Sequence, residues 1–268
     1  MVSAQSAVQG HGEIAFGNAI GSVICNTALI SALTAAIAPC LTPKKNLKAP
    51  VLFFFSAAAV YMLFVYLTKG LSRIAGAVLL LLFIAYIFYM IFNMKKHPEL
   101  QEKDNEEPSE DMPLWKAIVF LVVGAAFIAL GANFLVNNGT KIAEALGVPE
   151  SVIALTFVAL GTSLPELTTA IISLVKGHGS LSLGNIIGAN FFDLVLVSGL
   201  SPLLSPFQIP MEKTIGGMNA SLAIDLPLMT VVMAILTIPA LIKGKVSRWQ
   251  GIVLLILYVG YCVFQFAF

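Results

Sequence analysis

Apolar runs separated by short charged, proline-bearing or glycine-bearing stretches dominate this 268-residue chain. A helix of about 20 consecutive apolar residues crosses the hydrocarbon core of a bilayer. Runs of that length predict eight full spans, at residues 14–38, 50–69, 74–93, 114–136, 150–176, 181–205, 222–242 and 249–268. Residues 1–9 read as the tail of a further helix. The pattern therefore predicts an all-α polytopic membrane protein, because only helices satisfy their own backbone groups in lipid when a span is this long. The most polar segment, KKHPELQEKDNEEPSEDMP at 95–113, has the charge and prolines of a solvated linker.

Composition strengthens the membrane reading, with 58% hydrophobic and 11% charged residues. The 15 basic residues sit in short clusters between spans, with no stripe or patch suited to nucleic acid. Eleven of them fall on one side of the predicted membrane and four on the other. The positive-inside rule then places the acidic linker in the cytoplasm and the C-terminus outside. Cys25, Cys40 and Cys262 have no paired spacing, so they read as small packing residues and not as a disulfide or zinc framework. The opening MVSAQSAVQGHGE lacks the basic and long apolar regions of a cleavable signal peptide.

The chain also matches itself. At an offset of 167, VQGHGEIAFGNAIGSVICN (8–26) aligns with VKGHGSLSLGNIIGANFFD (175–193), with eight of 19 positions identical, including GHG and GN-x-IG. Chance similarity between apolar helices rarely keeps polar and glycine positions in register, so this reads as a duplication. The predicted spans put the His11 loop outside and the His178 loop inside, so the two copies are inverted. Inverted repeats joined in one bundle are a frequent transporter architecture, with a binding site near the midplane.

Polar chemistry inside the spans supports a transport site over a plain duplicated scaffold. An unpaired carboxylate in the bilayer interior is costly, so Glu166 and Asp193 are candidate functional acids. Thr162 lies one turn before Glu166 on the same face, with Ser163 beside it. Pro165 has no N–H for the carbonyl of Gly161, which leaves that oxygen free for another partner. The other copy offers Asn26 at the position of Asp193, and Ser22 one turn earlier. Gly184 and Gly188, like Gly17 and Gly21, have the spacing that lets helix backbones approach closely. These are hard oxygen donors, suited to Ca²⁺ or Na⁺ and not to Zn²⁺ or Cu⁺.

Blander roles stay open for several of these residues. Thr162, Ser163 and Ser22 can satisfy backbone carbonyls, as hydroxyls in membrane helices commonly do. Asn18 and Asn185 can cap or bridge helices, and Asn133, Asn137 and Asn138 fit packing or interfacial roles. His11 and His178, at span ends, fit the membrane interface better than a pH sensor. A proton/cation antiporter would also bury an acid. An intramembrane aspartyl protease requires two aspartates and gives no reason for an inverted repeat.

The stretch VIALTFVALGTSLPELTTAIISLVKGHGSLSLGNIIGANFFDLVLVSGL, residues 152–200, closely resembles the second alpha-repeat of the sodium/calcium exchanger family, within the cation/calcium antiporter superfamily. GHGEIAFGNAIGSVICN resembles the later half of the first. The resemblance implies an inverted-repeat fold of ten helices, with about eight full spans and a partial helix in this chain. It implies a truncated N-terminal five-helix half at 1–93, a cytoplasmic linker at 94–113 and an inverted C-terminal half at 114–268. It further implies a secondary transporter, not an enzyme, which exchanges Na⁺ for Ca²⁺ in a bacterial or archaeal cell membrane and needs no cofactor beyond the transported ions. Glu166, Asp193, Asn26, Ser22, Thr162 and Ser163 would be the cation ligands. Ala189 stands where the family often has serine, and Val23 where it has asparagine. The inverted partner of GTSLPE would fall upstream of Met1, so the chain is expected to lack the front of the first repeat and to exchange poorly alone.

Overall fold

The computed structural model describes residues 2–39, 41–42, 44–96, 113–176, 179–211 and 213–267. The linker expected at 94–113 lies mostly outside these residues, as do Cys40 and His178. The described residues are 84% helical. Among the described residues six helices are long and apolar enough to cross a membrane: Gly12–Ile37, Leu47–Thr68, Arg73–Asn93, Leu183–Leu204, Ser221–Lys243 and Arg248–Ala267. Glu150–Thr162 and Leu164–Val175, meeting at 45°, form a bent apolar pair that is a seventh candidate span or a re-entrant loop. The expected span at 114–136 falls within one continuous helix, Leu114–Leu146, of 33 residues. The chain is thus a multi-pass integral membrane protein.

In chain order we call Val2–Val8 α1, Gly12–Ile37 α2, Lys44–Thr68 α3, Arg73–Lys96 α4, Leu114–Leu146 α5, Glu150–Thr162 α6 and Leu164–Val175 α7. The continuous run Gly179–Phe192, Asp193–Val197 and Ser198–Leu204 is α8. Ser221–Lys243 is α9 and Arg248–Ala267 is α10. Helix α2 is the centre of the bundle, with 72% of its central window buried, against 17% for α4. Leu81, Phe88 and Phe92 on α4 face outward, as do Ile256, Val259 and Val263 on α10, and these apolar surfaces suit contact with lipid. The main core joins Ile20, Ile24 and Ala28 of α2 to Phe54 and Tyr61 of α3, Ile187 and Phe191 of α8, and Met229 and Met233 of α9.

The GHG motif has a local physical reason in its first copy. Gly10 adopts φ +89°, a left-handed conformation that costs a side-chain-bearing residue energy. A Cβ on Gly12 would lie 2.4 Å from the Cβ of Phe207, so only glycine fits there. Phe207–Gln208 pairs antiparallel with Gly70–Leu71, tying the loop after α8 to the loop after α3. At a second loop cluster, Thr42 N–H donates to the carbonyl of Gly244 at 2.9 Å.

Candidate cation site

The site begins where α2 meets α6. A Cβ added to Gly17 would stand 2.6 Å from the Cβ of Ala154, and one on Gly21 would stand 2.6 Å from the Leu155 carbonyl oxygen. These two glycines therefore bring backbone against backbone, as their spacing predicts. Among the described residues the second copy does not use that capacity. A Cβ on Gly184 or Gly188 meets nothing within 4 Å, because among the described residues no helix crosses that face of α8.

Close packing of α2 on α6 lets short side chains reach across. Thr162 Oγ1 donates to Asn18 Oδ1 at 2.8 Å, and Asn18 Nδ2 donates to Ser3 Oγ at 2.8 Å. Ser22 Oγ lies 3.1 Å from Thr162 Oγ1, near enough to donate to it. Asn18 thus bridges helices, one of the two roles its sequence left open. Thr162 Oγ1 is also 3.1 Å from the carbonyl oxygens of Val158 and Ala159, which compete with Asn18 for its single hydrogen.

The helix breaks at the next residue. Ser163 has φ −90° and ψ 2°, the sparsely occupied bridge region, and α7 restarts with Pro165 in its first turn. A proline there has no N–H to bond one turn back, so the break falls within GTSLPE. Glu166 also occupies that first turn, where the N-terminal end of the helix dipole favours a carboxylate. Ser163 is 1% exposed, yet its hydroxyl has no hydrogen-bond partner, and neither has the buried oxygen Oε2 of Glu166. Asn26 Oδ1 is a third buried oxygen without a partner, on a residue that is 1% exposed.

Asp193 is half-buried on α8, close enough to Glu166 for their charges to interact. Asn26 and Asp193, matched by the repeat, each open a π-helical stretch, at Asn26–Ser31 and Asp193–Val197. A π-turn shifts the hydrogen-bond pattern of a helix by one residue and is frequent at functional sites. Ile30, Ala170, Ile186 and Leu167 form an apolar cluster where α2, α7 and α8 meet. Five of the six expected ligands lie on the four helix segments that converge here, and Ser163 lies at the break between α6 and α7. Ser22 and Thr162 touch directly, while Asn26, Ser163 and Glu166 each leave an oxygen unsatisfied. Buried polar atoms seldom stay unpaired, since each costs about 1–3 kcal/mol unless water or an ion completes it.

The family pattern described as "Sodium/calcium exchanger protein" matches residues 1–92 and 116–267. The chain belongs to the sodium/calcium exchanger family. It is therefore built as a membrane antiporter, a transporter and not a classical enzyme. It is 36% identical over 257 residues to an uncharacterized membrane protein of Methanocaldococcus jannaschii, covering 92% of this chain and 74% of that protein. It is 38% identical over 151 residues to the sodium/calcium exchanger MaX1 of Methanosarcina acetivorans, covering 56% of this chain and 41% of the relative. The solved exchanger NCX_Mj, soaked with Na⁺ and Sr²⁺, superposes with a TM-score of 0.64 at 31% identity, over 96% of this chain and 78% of NCX_Mj.

This exchanger holds a third intramembrane acid that the sequence reading passed over. Asp225 lies at the end of a π-helical stretch in α9 and is 2% exposed. Its Oδ1 accepts from Gln265 Nε2 at 2.7 Å and from the Tyr261 hydroxyl at 3.2 Å, both on α10. Lys213 in turn donates to the Gln265 carbonyl. Asp225 is thus bonded to protein donors and fastens α9 to α10, whereas Glu166 keeps an oxygen open. Its signal was present in SLAIDLPL, an acid inside a predicted span. At the other margin of α2, His11 Nδ1 and Glu150 Oε2 are 2.9 Å apart and tie the start of α2 to the start of α6.

Proposed function

We propose that this exchanger moves Ca²⁺ against Na⁺ by alternating access, through one oxygen cage formed by Glu166, Asp193, Asn26, Ser22, Thr162 and Ser163. The observation that carries the reading is the buried, unpartnered oxygen of Glu166, accompanied by the equally unpartnered oxygens of Ser163 and Asn26. All are hard donors of the kind Ca²⁺ and Na⁺ take. Two carboxylates balance one Ca²⁺ or two Na⁺, so either load leaves the cage neutral and the competing loads exclude each other.

Neutralisation is also what couples binding to movement. An empty cage leaves two carboxylates of like charge in a low-dielectric bundle, where they repel each other. A bound cation removes that repulsion, so a state that exposes the cage to neither side becomes accessible only when it is loaded. Helix α5, continuous over 33 residues, is the element we assign to slide past the loaded cage. The basic-rich loops face the cytoplasm in this reading.

Vesicles containing the protein, loaded with Na⁺ and diluted into Na⁺-free ⁴⁵Ca²⁺, test the exchange. Uptake that follows the Na⁺ gradient, at the low rate expected for a cage with only two acids, and that is lost in Glu166→Gln supports it. Uptake that follows an imposed pH gradient instead makes the protein a proton/cation antiporter.

A further inference from the structure

Asn190, on α8 three residues before Asp193, is outside the expected ligand set and is fully buried, at 0% exposure. Its Nδ2 donates to Thr27 Oγ1 at 2.8 Å and also lies 3.3 Å from the sulfur of Met233. Thr27 Oγ1 directs its own hydrogen to the same sulfur, at 3.2 Å. That hydroxyl can therefore only accept from Asn190, which fixes the orientation of the amide. The consequence is that Asn190 Oδ1 has no hydrogen-bond partner.

A buried amide held firmly at its nitrogen and left open at its oxygen is an unusual economy for a packing residue. A leucine would fill similar space without an uncompensated acceptor. The surroundings suggest what completes it. Thr27, which holds the nitrogen, directly follows Asn26, whose Oδ1 is also open. Asn190 stands one helical turn before Asp193, on the same face of α8.

The repeat makes the same point from sequence. In the first copy Ser22 is polar and Val23 apolar; at the matching positions of the second copy Ala189 is apolar and Asn190 polar. Against the family's serine–asparagine pair, the first copy keeps the serine and the second keeps the asparagine, so each copy retains one neutral oxygen donor. Ca²⁺ takes six to eight oxygens, including side-chain amide carbonyls, so a neutral donor beside Asp193 has a use.

We propose that Asn190 is a further ligand of the transported cation, its amide nitrogen anchored by Thr27 and Met233 and its Oδ1 turned to the cage beside Asp193. The inference rests on the cage proposed above. It assigns α8 two donors one turn apart, one charged and one neutral, matching Asn26 and Ser22 on α2.

The test is Ca²⁺ titration of the purified full chain, with thermal unfolding in Ca²⁺-free buffer as a second readout. Asn190→Leu keeps the volume and removes the oxygen; the expected result is Ca²⁺ affinity lowered tenfold or more. Asn190→Asp keeps an oxygen and adds charge; it is expected to retain Ca²⁺ binding and to raise the preference for Ca²⁺ over Na⁺. A packing residue would instead lower the unfolding temperature in both variants while leaving Ca²⁺ affinity within twofold, and that result overturns the proposal. If the leucine variant does not fold, the aspartate variant decides: a changed Ca²⁺ to Na⁺ affinity ratio supports a ligand, and an unchanged ratio overturns it. Glu166→Gln serves as the reference. Its failure to weaken binding overturns the cage and this ligand together, whereas loss in Glu166→Gln with normal binding in Asn190→Leu strikes Asn190 alone.

Discussion

The two copies of the repeat share a sequence pattern and differ in what covers them. In the first, Gly17 and Gly21 are pressed against α6 and Asn18 is buried in a chain of hydrogen bonds. In the second, no described residue lies within 4 Å of a Cβ on Gly184 or Gly188, and Asn185 is exposed. Both nevertheless change to a π-helical pattern at the same matched residue, Asn26 or Asp193. The π-turn therefore does not depend on a helix packed over the glycines. Spacing of small residues gives a helix the capacity for close approach, and a partner is needed to use it.

The largest effect expected from this difference is at the glycines. Gly21→Ala drives a methyl group into the Leu155 carbonyl and should destabilise the protein by about 3 kcal/mol, the upper part of the range for overpacking. Gly188→Ala meets nothing and should gain up to about 1 kcal/mol from helix propensity. Thermal unfolding of the two variants in the same detergent compares them; similar losses in both would mean that the second face is covered in solution.

How far the sequence carried this picture follows from the same contrast. Apolar runs marked the spans because the bilayer sets their length, and Pro165 marked the break because it removes a backbone donor. Glu166 and Asp193 stood out as acids among apolar residues. The π-turns were not legible, since no side chain type encodes a shift of one residue in a hydrogen-bond ladder. Asp225 was legible as an acid, but its partners Tyr261 and Gln265 are about 40 residues away and only folding brings them together. Gly184 and Gly188 carried the same signal as Gly17 and Gly21, yet spacing could not say which pair would be used.

The asparagines should separate the copies less strongly. Asn18→Ala removes the amide that bridges the hydroxyls of Ser3 and Thr162 and should cost about 1–2 kcal/mol. Asn185→Ala, at an exposed position, should stay within about 0.5 kcal/mol of the parent. Equal losses measured by thermal unfolding would place Asn185 in a comparable network. Smallest of all is the pair His11–Glu150, which is about one-third exposed on each side. Glu150→Gln should cost no more than about 1 kcal/mol, and that cost should fade in high salt.

The central claim is that Glu166 keeps an oxygen open for a cation. Calorimetric titration of Ca²⁺ into the purified protein and its Glu166→Gln variant, at low Na⁺, tests it most directly. Removing one charged ligand from a buried cation site costs about 3 kcal/mol, so the variant should bind Ca²⁺ about a hundredfold more weakly while unfolding at a similar temperature without Ca²⁺. Equal Ca²⁺ affinity in the two proteins would contradict the account.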